Sequence, residues 1–357
     1  MQKRMYTLFI LSILHGFLLG QKVSEPFSFQ FEGKTLRGLI EKPETGSSRA
    51  VIMLIPGYGR TDFVEGQWFS RLRYHLVQAG MTVCLWDKMG CGKSEGTFDA
   101  QQPVENSAEE AVAAIAELQR RKVPGAETIG MWGLSRAGWI VPLINQKHPI
   151  DFWISVSGTD AKENFGYLVR SNLLIEGKSE AETEKLYQAW MLAHKLYCTG
   201  GSMEDYAAAR QVLLADSLAR TRFHVRPTVI SEESRATFEK QRQQYLSKGH
   251  FDEESGLWSY IDDFDSVLMA IKCPVLALFG ANDSQVDWRK TKALYEKTIA
   301  TQPNADFQAK VFEQCNHSLQ KCVSCAWQED LSALGWANCD GYYETMIEWL
   351  RTQKLID

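Results

Sequence analysis

Short apolar runs closed by turn residues recur along this chain, and most of the stretches between them carry helical spacing. RAVIMLIPG (49–57), MTVCLWD (81–87), ETIGMW (127–132), DFWISVSG (151–158) and CPVLALFG (273–280) are each long enough for one strand and too short for a helix. Between them, Gln67 to Ala79 repeats apolar residues at Trp68, Leu72 and Leu76, and Ser107 to Arg121 is rich in Ala and Glu. Apolar strands alternating with helices predict an α/β fold built on a mostly parallel, doubly wound sheet covered on both faces. Before this alternation, FSFQFEGKTLRGLIEKP alternates apolar and polar residues around Gly33-Lys34, the pattern of an antiparallel hairpin.

Two segments break the alternation. Residues 1–20 begin with Lys3 and Arg4, continue in an apolar run from Tyr6 to Leu19 and end at Gly20. That order is a secretory signal peptide, and the run is short for a membrane span. An uncleaved N-terminal anchor is the alternative. Residues 161–265 hold charged helical stretches such as AETEKLYQAWMLAHKLY and no strand-like run. This block is expected to be a helical cap insertion between residues 21–160 and 266–357, the two parts of one core. Its Tyr187, Trp190, Tyr197, Phe223 and Trp258 either line an apolar pocket or pack within the insertion.

In IGMWGLSRAGWIVP (129–142), Ser135 sits directly behind a strand and ahead of a helix, with Gly133, Ala137 and Gly138 around it. A serine on a sharp strand-to-helix elbow has strained dihedrals and brings backbones close, so small neighbours are what that geometry tolerates. The bland alternative is a helix-capping hydroxyl. A serine hydroxyl is a weak nucleophile and needs a histidine base oriented by a carboxylate. Asp283 in GANDSQVD follows a late strand, with Asp287 as a rival four residues on. Among seven histidines only His317, in KVFEQCNHSL, follows both a late strand and a candidate acid. The oxyanion would then take backbone N–H groups from Arg136 and from Tyr58 in LIPGYGRTD, where Gly57 and Gly59 let the chain turn.

These pieces resemble the α/β-hydrolase superfamily. WDKMGCGKSEGTFD (86–99) is similar to the Asp-x-Arg-Gly-x-Gly-x-Ser-x-Gly loop of exported esterase-like and serine-aminopeptidase-like (S33-type) hydrolases, and PGYG, GANDSQVD and CNHSLQ fall where that family has its oxyanion, acid and histidine loops. The resemblance implies catalysis by Ser135, His317 and Asp283 without metal or organic cofactor. Carboxylic ester cleavage comes first, and peptidase, thioesterase or acyltransferase chemistry are the alternatives. Met89 replaces the usual Arg of the Gly-rich loop, and Arg136 brings a cation next to the nucleophile, near a substrate carboxylate or phosphate. The expected partner is a small acyl compound or short peptide. A formal net charge of -5 offers no basic footprint for nucleic acid. A catalytically silent binding protein on the same fold is the reading from another class.

Eight cysteines complete the picture. Cys315, Cys322, Cys325 and Cys339 crowd around His317, while Cys84, Cys91, Cys198 and Cys273 are scattered. Export favours disulfides among the first four, with free thiols or a metal site as the alternatives and the connectivity open.

Overall fold

The computed structural model describes residues 22–44, 47–100, 102–161, 165–246 and 261–357. The signal segment expected at residues 1–20 and the aromatic Trp258 lie outside the described residues. Eight strands form one sheet: β1 (Lys22–Phe31), β2 (Lys34–Pro43), β3 (Val51–Ile55), β4 (Thr82–Trp86), β5 (Ile129–Leu134), β6 (Phe152–Val156), β7 (Val275–Gly280) and β8 (Phe307–Phe312). Their spatial order is β1-β2-β4-β3-β5-β6-β7-β8. β1 and β2 pair antiparallel in a hairpin whose turn is Glu32-Gly33, one residue earlier than expected, and β2 pairs antiparallel with β4. From β4 onward every pairing is parallel.

Each central strand is buried on both faces, which is why the runs read as continuously apolar. In β3, Val51, Met53 and Ile55 join the core under α2 (Val104–Arg120) and α3 (Ala137–Lys147), reached after α1 (Ser70–Gln78). Ile52 and Leu54 face the opposite core, which Leu72 and Leu76 of α1 complete. α1 starts three residues later than its spacing suggests. Gln67 and Phe69 adopt left-handed backbone at φ 56° and 55°, and the Phe69 ring packs against Phe63 and Trp132. Tertiary packing outweighs helical spacing there.

Between β6 and β7 the described residues contain only helices and connections: α4 (Phe165–Ile175), α5 (Glu180–Thr199), α6 (Met203–Ala209), α7 (Gln211–Ala215), α8 (Ser217–Arg222), α9 (Glu232–Leu246) and α10 (Phe264–Met269). α5 is the best specified of them. Ser179 and Glu182 form a reciprocal capping box, and Gly200 ends the helix at φ 93°. Tyr187 is buried in a small core formed among these helices with Val169, Leu173 and Leu186. Trp190, Tyr197 and Phe223 line a separate cavity of about 270 Å³ within the insertion. After β7, α11 (Trp288–Thr298) returns to the α2/α3 face, and α12 (Tyr342–Thr352) packs beside α1 on the other.

Cys315 pairs with Cys339 and Cys322 with Cys325, so the four crowded cysteines form two disulfides rather than a metal ligand set. Cys84 is buried in β4. Cys273 is only partly buried and precedes β7 rather than lying in it.

Candidate active site

The loops that follow β3, β5, β7 and β8 meet at the carboxyl edge of the parallel strands, the place where open α/β sheets leave a crevice. Ser135 directly follows β5 with φ 57°, a left-handed conformation that residues with a side chain rarely adopt. The elbow is locked on both sides: the Ser135 N–H donates to Val156 O (2.9 Å), and the Gly138 N–H to Ser135 O (2.7 Å). A methyl on Gly133 would meet Ala137 Cβ at 2.9 Å, and one on Gly138 would meet Thr159 N at 2.8 Å. The small residues are therefore required by close packing of β5, α3 and the loop after β6. Ser135 does not cap α3; the cap position is Arg136, with no side-chain hydrogen bond.

Asp283 and His317 form the second half of the site. Asp283 is buried, and its Oδ1 accepts from the N–H groups of Gln285 (2.8 Å) and Val286 (3.0 Å). Oδ2 lies 2.7 Å from Nδ1 of His317. An ionised carboxylate only accepts, so in a neutral imidazole this contact calls for the proton on Nδ1, which leaves Nε2 as the acceptor. Asp287, the rival acid, is instead the cap of α11, accepting from Arg289 N–H. The acid loop is clamped by the insertion: Tyr167 donates to Asp283 O, and Ser171 and Asn172 donate to Ser284 O. Asn172 also accepts from Trp327 N–H in the disulfide-bearing loop.

Ser135, His317 and Tyr58 line a single cavity of about 360 Å³, with Asp283 behind the imidazole. The loop after β3 passes directly over the serine. A methyl on Gly57 would lie 3.1 Å from Ser135 Cβ and 3.7 Å from Oγ. Trp68, Phe69, Phe165 and Trp327 supply most of the ring surface, and Thr61, Thr159 and Gln285 are neutral polar members of the lining. Among the described residues, Tyr187, Trp190, Tyr197 and Phe223 of the insertion are not part of this lining. Phe165 comes from α4, and Trp327 from a loop whose only signal in the sequence is its cysteines.

The side chain of Arg136 corrects an expectation. It is buried, not presented to the cleft: its guanidinium donates to Gln102 O and Ser107 Oγ and packs 5.0 Å from the Tyr58 ring centroid. It is committed to these structural partners and is not part of the cleft lining. Its backbone still follows the serine.

The Gly-rich loop 87–94 is a support for this cleft. Asp87 is buried, and its carboxylate accepts from Phe63 N–H (2.6 Å) and Lys93 N–H (3.1 Å), while Ser94 Oγ donates back to Asp87 O. Burial, the dominant influence, pushes the Asp87 carboxyl above its ordinary range against these amide hydrogen bonds. Gly90 and Gly92 have φ 68° and 45°, and a methyl on Gly92 would collide with the Asp87 carboxylate. The motif's glycines thus let the loop wrap its own aspartate.

Residues 32–318 match the family X-Pro dipeptidyl-peptidase (S15 family). No curated protein sequence matches the chain. Among solved structures, an esterase of Pyrococcus furiosus superposes with a TM-score of 0.52 at 14% identity, over 92% of this chain and 91% of that one. Proline iminopeptidase of Mycobacterium smegmatis gives 0.50 at 15%, over 93% and 99%. At such identity these likenesses establish the fold. Family and fold together identify the chain as a member of the X-Pro dipeptidyl-peptidase (S15) family, a serine hydrolase of the α/β-hydrolase type.

Proposed function

We propose that this hydrolase cleaves carboxylic esters through an acyl-enzyme formed on Ser135. The Oγ of Ser135 attacks the ester carbon as Nε2 of His317 accepts its proton, and Asp283 holds the imidazole and stabilises its charged form. The amides of Tyr58 and Arg136 bind the oxygen that becomes negative. His317 then returns the proton to the departing alkoxide, and water, activated the same way, releases the acid. The residues suffice without metal or organic cofactor.

The observation that carries the ester reading is the lining of the cleft. Its aromatic and aliphatic walls suit an uncharged acyl group, and among the described residues the lining holds no carboxylate to pair with the free ammonium of a peptide. A second cavity of about 980 Å³ shares Trp68, Phe69 and Leu134 with the cleft and gives a longer acyl chain room to extend. The insertion acts as a cap, because Phe165 and Leu168 of α4 close one wall. Dipeptidyl-peptidase activity is the second reading, and the family match favours it. We also place the mature protein outside the cytoplasm. The signal-like residues 1–20 and the two disulfides support export.

A p-nitrophenyl ester series from acetate to octanoate, run beside X-Pro p-nitroanilides, separates the two. The account expects kcat/KM to be larger for every ester and to rise from acetate to butyrate. Faster turnover of an X-Pro anilide than of any ester would replace this reading with the peptidase one.

A further inference from the structure

Lys88 holds a place that the catalytic scheme does not use. It is partly buried below the loop after β3, and its Nζ donates to Gly57 O (2.6 Å) and to Gly59 O (3.0 Å). Its own N–H donates to Thr61 Oγ1 (2.8 Å), so backbone and side chain both tie the Gly-rich loop to residues 57–61. Two glycines in that segment leave its course to backbone contacts. Gly57 has no side chain, and Gly59 sits at φ 90°, where glycine has ready access and other residues do not.

The peptide joining Gly57 to Tyr58 is trans, as are all the described peptide bonds. In a trans peptide the C=O and N–H point in opposite directions. An ammonium on the Gly57 oxygen therefore directs the Tyr58 N–H away from Lys88, while Gly57 itself is packed on Ser135. Resting on the oxyanion role proposed above for Tyr58, we propose that Lys88 is a positioning residue: by gripping the carbonyls of Gly57 and Gly59 it aims the Tyr58 amide at the oxygen made negative by Ser135. The grip also polarises the peptide group. A cation on the carbonyl end makes the N–H a stronger donor, so Lys88 acts on the oxyanion through one peptide without touching substrate.

The charge of this lysine is adjustable. Burial is the main reason its pKa falls to about 8, and the Arg136 guanidinium pushes the same way. The groups facing it are Arg136 at the start of α3, Glu110 on α2 and Cys91 in its own loop; the last two favour the charged form. Below pH 8 the ammonium is present and the loop is gripped. As pH rises through about 8 the amine becomes neutral, the polarisation weakens, and turnover falls.

The test compares wild type with Lys88→Met and Lys88→Arg, measuring kcat and KM on p-nitrophenyl butyrate from pH 6 to 10, fluorophosphonate labelling of Ser135, and urea unfolding. Losing one aimed oxyanion donor costs about 100-fold or more in kcat. Lys88→Met should lose that order of kcat with little change in KM. Lys88→Arg should recover much of the rate, and because guanidinium stays charged it should carry no fall in kcat near pH 8. A folded Lys88→Met with wild-type kcat overturns the assignment. If Lys88→Met does not fold, a Lys88→Arg enzyme with the wild-type alkaline fall overturns it instead. Absence of labelling at Ser135 in the wild type is a different result: it removes the catalytic reading, and the role of Lys88 falls with it.

Discussion

Ser135→Ala is expected to lower kcat on p-nitrophenyl butyrate by about 10⁴- to 10⁶-fold, leaving only what binding and the oxyanion donors supply. Fold and stability should survive almost intact. The elbow is held by the Ser135 N–H to Val156 O and by Gly138 N–H to Ser135 O, and both bonds belong to the backbone. No side-chain cap is lost at α3 either. The urea midpoint should therefore correspond to a stability change within about 0.5 kcal/mol. A loss of activity accompanied by unfolding would say nothing about chemistry, so the two measurements belong together. Residual turnover within tenfold of wild type in a folded protein would remove Ser135 from the mechanism.

Asp283→Asn should cost about 10³- to 10⁴-fold in kcat, and the reason is tautomeric. The buried amides of Gln285 and Val286 both donate to Oδ1, so an asparagine must keep its oxygen there. Its NH₂ then faces Nδ1 of His317, where the carboxylate oxygen now lies at 2.7 Å. To accept that donor, Nδ1 must give up its proton, and the proton moves to Nε2. A protonated Nε2 in a neutral ring cannot take the serine proton. Asp287→Asn is the control. Asp287 caps α11, and asparagine caps helices about as well as aspartate, so kcat should stay within a few-fold of wild type. If Asp287→Asn is the slow variant and Asp283→Asn the fast one, the acid has been misassigned.

The parts of this molecule that could be read from the chain are those dictated by local pattern. Both faces of β3, β5, β6 and β7 are covered, so their apolar runs are continuous and the parallel sheet follows. Gly133, Ala137 and Gly138 are legible for the same reason: each answers a contact within the elbow or with the next strand's loop. Asp283 and Asp287 lie four residues apart in one turn, and only the packing of that turn gives them different partners, His317 for one and Arg289 N–H for the other. Contacts between distant segments were not legible. Asn172 meets Trp327 across 155 residues, and Lys88 meets Gly57 across 31, with no periodicity linking either pair. Arg136 shows the opposite error. Its position directly after Ser135 is plain in the sequence, but the direction of its side chain depends on Gln102 and Ser107, which the sequence does not place nearby. The disulfide pairing was equally hidden, since four cysteines allow three connectivities.

Reactivity of a single hydroxyl is what the whole account turns on, and a fluorophosphonate probe reads it directly. The protein should acquire one adduct, located by peptide mass spectrometry on Ser135, and His317→Ala should slow its formation sharply. A folded protein that takes no adduct, or takes it on another serine, would contradict the account.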